Sequence, residues 1–272
     1  MRPLKKPLRS KPNEVQPKES PHLSLVSKNH TPRYPEIDLL RGLAVIAMIL
    51  YHLSWDIDNM GVGLNFSQFT WDMGATLIGS TFLFLVGLSS WIEKENYSSA
   101  NLYKKTARKF IRTFFAALMV SAISFAYMPR TPIYFGILHC ISASYLALIV
   151  YQKAPRPLVL ASTILILVLG NYFYFNPLQN PQLFWFAMSD FKGMADYYPF
   201  LPWSGVALLG YFCGKYLSPI LKERNSKEEF LKQNKNKPHH KTLTFLGKHS
   251  LIIYLVHQPI LIFLLNSLGV IN

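Results

Sequence analysis

Seven apolar stretches, at residues 37–57, 72–92, 110–128, 133–151, 157–175, 198–217 and 250–268, constrain this chain more than any other feature. A hydrocarbon core about 30 Å thick takes roughly 20 apolar residues in a helix, because only a helix or a closed barrel satisfies its own backbone in lipid. The fourth and fifth stretches are short or closely joined. The expected architecture is therefore all-α: a polytopic transmembrane helix bundle of about seven spans. Composition agrees, since half of the 272 residues are hydrophobic and 15% are charged, against about a quarter charged in a soluble domain.

A net charge of +14 would suit nucleic acid if the cations shared one face of a domain. Instead they sort by side. Eight Lys or Arg precede residue 36, and Arg41, Lys94, Lys104, Lys105, Arg108, Lys109, Arg112, Lys153, Arg156 and Lys215 fall on the same side of alternating spans. Lys222, Arg224, Lys227, Lys232, Lys235, Lys237, Lys241 and Lys248 join them, leaving Arg130 and Lys192 opposite. Cytoplasmic loops carry the excess of Lys and Arg, so the N-terminus is expected in the cytoplasm and the C-terminus outside. The charge is topogenic, and a nucleic-acid partner is excluded.

Residues 1–35, with seven prolines and no apolar run able to form a signal-peptide core, read as a disordered basic cytoplasmic tail. Such a tail favours the anionic leaflet of the bilayer. Residues 36–272 form one membrane domain with a polar cytoplasmic loop at 218–248. Trp55, Trp71, Tyr172, Tyr174, Tyr197, Tyr198 and Trp203 cluster toward the outer ends, as interfacial belts do. The segment from Leu183 to Met194 is too short to span and is expected on or in the outer surface. Cys140 and Cys213 lie inside apolar runs and read as packing residues, without zinc spacing. No metal is expected.

Ionisable groups inside spans are costly and mark functional sites. The first span, EIDLLRGLAVIAMILYHLSWDID, carries Asp38, Arg41, His52 and Asp56. Arg41 and His52 are eleven residues apart, which returns to nearly the same helical face after a rise of about 16 Å. Asp56 follows His52 by four residues and can reach it, fixing the ring tautomer. Asp38 with Arg41 also fits an interfacial ion pair, and His52 with Asp56 a wetted helix end. Asp72, His139, Asp196 and Trp203 are expected to converge on an outward-opening pocket. His257 lies nearer mid-span, where interhelical hydrogen bonding competes with chemistry for His139 and His257 alike. Pro199, Pro202 and Pro259 sit in or beside spans, where they kink helices around a cavity.

The run RYPEIDLLRGLAVIAMILYHLSWD, followed in order by STFLFLVGLSSWI, YFGILHCISASYL, DYYPFLPWSGVALLGYFCG and LGKHSLIIYLVHQPILI, resembles bacterial membrane proteins related to the catalytic domain of heparan-alpha-glucosaminide N-acetyltransferase. The resemblance covers about residues 33–268. That family sits among membrane acyltransferases, including the acyltransferase-3 group, where Arg, ten residues and His recur in the first helix; Arg41 and His52 match. The resemblance implies that residues 36–272 transfer an acyl group, acetyl, from cytoplasmic acetyl-CoA or another acyl-CoA to a sugar amine or hydroxyl across a bacterial inner membrane. On that reading His52 is catalytic and Asp56 orients it. Arg41 and Asp38 belong to the CoA side, and Asp72, His139, Asp196 and Trp203 to the acceptor side. A proton-coupled transporter or flippase of a small polar or glycolipid substrate is the alternative from another class.

Overall fold

The computed structural model describes residues 34–60, 63–189, 194, 196–232 and 239–270. The basic tail, apart from Tyr34 and Pro35, and Lys192 lie outside the described residues. Eight α-helices account for most of what is described: α1 Pro35–Met60, α2 Gln68–Asn96, α3 Ser99–Tyr127, α4 Ile137–Tyr151, α5 Arg156–Phe175, α6 Phe200–Lys232, α7 His239–Lys248 and α8 Ser250–Ser267. A 3-10 turn, Pro181–Leu183, interrupts the connection from α5 to α6.

Local chemistry explains where several helices begin. Pro35 supplies the first residue of α1, and the Tyr34 carbonyl accepts from Ile37 and Asp38 N–H. Glu36 and Asp38 in the first turn face the positive end of the helix dipole. Ser67 caps α2 by accepting from Thr70 N–H. Pro155 caps α5.

Five helices, α1, α2, α3, α5 and α8, are long and apolar enough to cross a membrane. The chain is a multi-pass integral membrane protein, and its lipid-facing surface is plain on α5, where Leu158, Ile164, Leu165 and Val168 are all more than half exposed. A water-soluble fold would not leave such a face bare. The fourth expected span is a 15-residue helix, which reaches about 22 Å. The sixth is long, but Pro202, Trp203, Lys215 and its glycines dilute its apolar residues. Its surroundings explain why: α6 packs chiefly between α2 and α5, with Leu201, Ser204, Ala207, Leu208 and Tyr211 buried. A helix ringed by other helices needs little lipid-facing apolar surface.

Small residues let the backbones meet. A Cβ on Gly87 of α2 would overlap the Ala207 carbonyl of α6, and one on Gly210 would overlap the Phe84 carbonyl. Such contacts carry helix association where lipid is as apolar as the core. The same device joins α7 to α1, through Gly42 against Leu243 and Gly247 against Asp38.

Three expectations change at this level. The stretch read as a polar loop at 218–248 is largely helical, because α6 runs on to Lys232 and α7 docks on α1. The third helix begins eleven residues earlier than its apolar run, so Lys104, Lys105, Arg108 and Lys109 stand on a helix and not in a loop. The aromatic belt is mixed: Tyr172 and Tyr174 are more than half exposed, whereas Trp71 and Tyr198 turn inward to polar acceptors, Asp58 and the Ala75 carbonyl.

Candidate active site

Two polar regions occupy the bundle. The first is a cavity of about 900 Å³ at the end where α1 begins and α2 ends. Arg41 from α1, Lys105, Lys109 and Arg112 from α3, and Lys248 from α7 line it, against the carboxylates of Asp38 and Glu93. Glu93 is buried and takes Lys109 at 2.7 Å and Lys105 at 3.1 Å. Arg41 bonds Asp38 at 3.4 Å and Ser89 Oγ at 2.6 Å. Cations outnumber carboxylates, so the cavity favours an anionic ligand. Its volume is that of an ordinary ligand pocket.

The deep end of this cavity is lined by Ile137 and Tyr254. Both hold one carboxylate: Asp196 Oδ2 accepts from Ile137 N–H at 2.9 Å and from the Tyr254 hydroxyl at 3.2 Å. Asp196 belongs to the connection between α5 and α6, so a segment from the opposite end of the bundle reaches down to the cavity floor. Gly136 makes room for it, since a Cβ there would overlap Asp196 Oδ2.

The second region begins one helical turn beyond Tyr254. His257 of α8 is 7% exposed, and its ring lies 4.9 Å from that of His52, centroid to centroid. Its Nδ1 meets the Tyr254 carbonyl at 2.7 Å. A carbonyl can only accept, so Nδ1 carries the hydrogen and Nε2 keeps its lone pair. Nε2 is buried and has no hydrogen-bond partner among the described residues. Tyr51 closes the other side of His52, edge-on at 5.3 Å, and packs in turn on Trp71. Neither histidine lines the cavity. A chain of contacts, Tyr254 to His257 to His52, joins the two regions.

Asp56 is fully buried, but it does not bond His52. Both its oxygens accept from Gln258 Nε2, at 2.9 and 3.0 Å. The i,i+4 spacing allowed the carboxylate to reach the imidazole, and the amide of α8 takes it instead. The neighbour that the structure gives His52 is His257.

The remaining expected residues fall in different places. Asp38 and Arg41 are together in the cavity wall. His139 serves the start of its own helix: Gly136 N–H donates to Nδ1 at 3.3 Å, leaving Nε2 facing Ser121 Oγ at 3.4 Å. Ser121 in turn donates to the Ile133 carbonyl at 2.6 Å, so this histidine ties α3 to the turn before α4. Asp196 meets Tyr254, as above. Trp203 packs on Tyr198 at 4.7 Å, in the apolar cluster of Leu83, Ile137 and Cys140. Asp72 is exposed and accepts from Gln68 at 2.8 Å. Asp196, His139 and Trp203 are thus gathered around the start of α4, while Asp72 stands near the start of α2.

Sequence reasoning missed Glu93, Lys105, Lys109, Arg112, Tyr254 and Gln258. One signal was present: Lys105, Lys109 and Arg112 are spaced i, i+4, i+7, the stripe of one helical face. Tyr254 and His257 likewise share a face at i, i+3. Among the described residues no three His, Cys, Asp or Glu side chains gather as they would around a metal ion.

No curated protein and no solved structure matches the chain. The family model described as heparan-alpha-glucosaminide N-acetyltransferase, catalytic, matches residues 33–259, which include every residue of both polar regions, and the chain belongs to that family of acyltransferase-type enzymes.

Proposed function

We propose that this protein moves an acetyl group from acetyl-CoA in the cytoplasm to an amine or hydroxyl of a sugar on the far side of a bacterial plasma membrane. The observation that carries the reading is the basic cavity whose deep end, at Tyr254, is one turn from the His257–His52 pair. Five cations in a recess of this size suit the phosphates and adenine nucleotide of CoA, and the pantetheine arm is long and narrow enough to reach toward Tyr254. The topology that goes with it has seven spans, α4 and α6 completing the five long apolar helices, with the basic end inside.

His52 is the catalytic side chain of this reading. As a general base it takes the proton of the acceptor while the acceptor's nitrogen or oxygen attacks the thioester carbonyl. As a transient acyl carrier it would instead produce ping-pong kinetics and a burst. Asp38 and Arg41 set the cavity wall on the donor side. Asp196 forms the floor where donor and acceptor meet, and His139 and Trp203 hold α4 and α6 around it.

The test is transfer of labelled acetyl from acetyl-CoA in membranes carrying the protein, with His52→Ala beside the wild type. Label is expected in a saccharide fraction with the wild type only. A protein that ignores acetyl-CoA while moving a solute would be the proton-coupled carrier, and the present reading would be abandoned.

A further inference from the structure

Acyl transfer leaves one proton in the wrong place. It starts on the acceptor's nitrogen or oxygen, and it is needed on the sulfur of the departing thiolate at the other end of the reaction. We propose that His257 is the second member of a two-histidine relay that carries this proton from the acceptor side to the leaving CoA thiolate. The proposal rests on the acyl-transfer reading above and adds a residue and a step to it.

Three observations on His257 support the role. Its Nδ1–H is committed to the Tyr254 carbonyl at 2.7 Å, which fixes the ring and leaves Nε2 with its lone pair. That Nε2 is buried without a partner, in a bundle where the comparable imidazole, His139, has both nitrogens occupied. Its ring lies against His52 on one side and, at 5.6 Å, against Tyr254 on the other, the residue that lines the deep end of the cavity. An unpaired buried acceptor costs about 1–3 kcal/mol, a cost that a proton delivered to Nε2 removes.

The step balances as follows. The acceptor lone pair forms the new bond to the carbonyl carbon, and the acceptor proton passes to His52. The carbon–sulfur bond breaks with its electron pair going to sulfur. The His52 imidazolium passes a proton to Nε2 of His257, and Nε2–H then donates it to the thiolate. His257 returns to the tautomer seen in the structure, and free CoA thiol leaves through the basic cavity. No oxidant, metal or further reactant takes part.

The deciding variant is His257→Asn, whose side-chain amide keeps a donor for the Tyr254 carbonyl and removes Nε2. With acetyl-CoA as donor, kcat is expected to fall about 100-fold with KM for acetyl-CoA unchanged, the lower range for loss of a proton-transfer group. With the acetyl thioester of a nitrothiophenol, whose thiolate leaves without a proton, the loss is expected to stay within about fivefold. An equal loss with both donors, or none with acetyl-CoA, overturns the relay. The wild type supplies an independent measurement should the variant not fold: the solvent deuterium isotope effect on kcat. A normal effect is expected with acetyl-CoA and its loss with the nitrothiophenol thioester, and equal effects with both donors overturn the relay. If the wild type transfers no acetyl at all, the acyl-transfer reading itself fails; transfer that is lost in His52→Ala and intact in His257→Asn removes the relay alone.

Discussion

The two polar regions of this bundle solve the same difficulty, charge inside a membrane protein, in opposite ways. In the basic cavity the charges are numerous and paired loosely: Glu93 shares two lysines, Arg41 divides itself between Asp38 and Ser89, and space remains for a ligand. Beyond Tyr254 the carboxylate of Asp56 is fully buried and held by one amide, and two imidazoles are in contact. A region built from redundant cations selects a ligand by charge and loses affinity in small steps. A region built from single contacts has no redundancy, so each loss there should be large.

The largest effect expected is at His52. Replacement by Ala should lower acetyl transfer by at least about 10³-fold, with the protein still extracted from membranes as a folded species by size-exclusion in detergent. Retained turnover would dissolve the contrast, since the histidine pair would then be packing. Next is Gln258→Leu, which strands the buried Asp56. Leaving a buried acceptor without its donor costs about 1–3 kcal/mol, to be read as a loss of thermal stability in detergent. Asp56→Asn should cost less than Gln258→Leu, because it keeps a polar pair without the charge. If Gln258→Leu is neutral, Asp56 is not held in the way its two hydrogen bonds indicate.

These two regions also differ in how much of them could be read beforehand. The helical class, the membrane setting and the presence of Arg41 on the cavity side follow from periodicity and charge in the chain itself. The partner of His52 does not. Asp56 lies four residues away on the same helix and was the natural choice, yet Gln258, more than two hundred residues later, claims it. Local spacing states which contacts are possible; competition from a distant helix decides which occur. Two further failures have related causes. Asp196 was placed by the alternation of spans, which says nothing of its partner, and its connection turns into the bundle to meet Tyr254. The cavity lysines were assigned to a loop because apolar content, used to set the start of α3, ignores a helix that continues into water.

The smaller predictions probe the cavity. Lys105→Gln, Lys109→Gln and Arg112→Gln should each raise KM for acetyl-CoA about tenfold, the equivalent of one charge-assisted contact near 1.4 kcal/mol, with kcat little changed. The effects should shrink as salt is raised. A fall in kcat at unchanged KM would instead join these residues to the chemistry and blur the line between the two regions. The smallest effect belongs to Asp72→Asn. Asp72 is exposed and accepts from Gln68, four residues before it in α2, and an exposed polar pair contributes less than about 1 kcal/mol. Less than a twofold change in KM for the acceptor is expected. A tenfold rise would mean that the acceptor meets α2 before it meets His52, and would extend the histidine region outward past Trp71 and Asp58, whose own hydrogen bond at 3.2 Å closes that side.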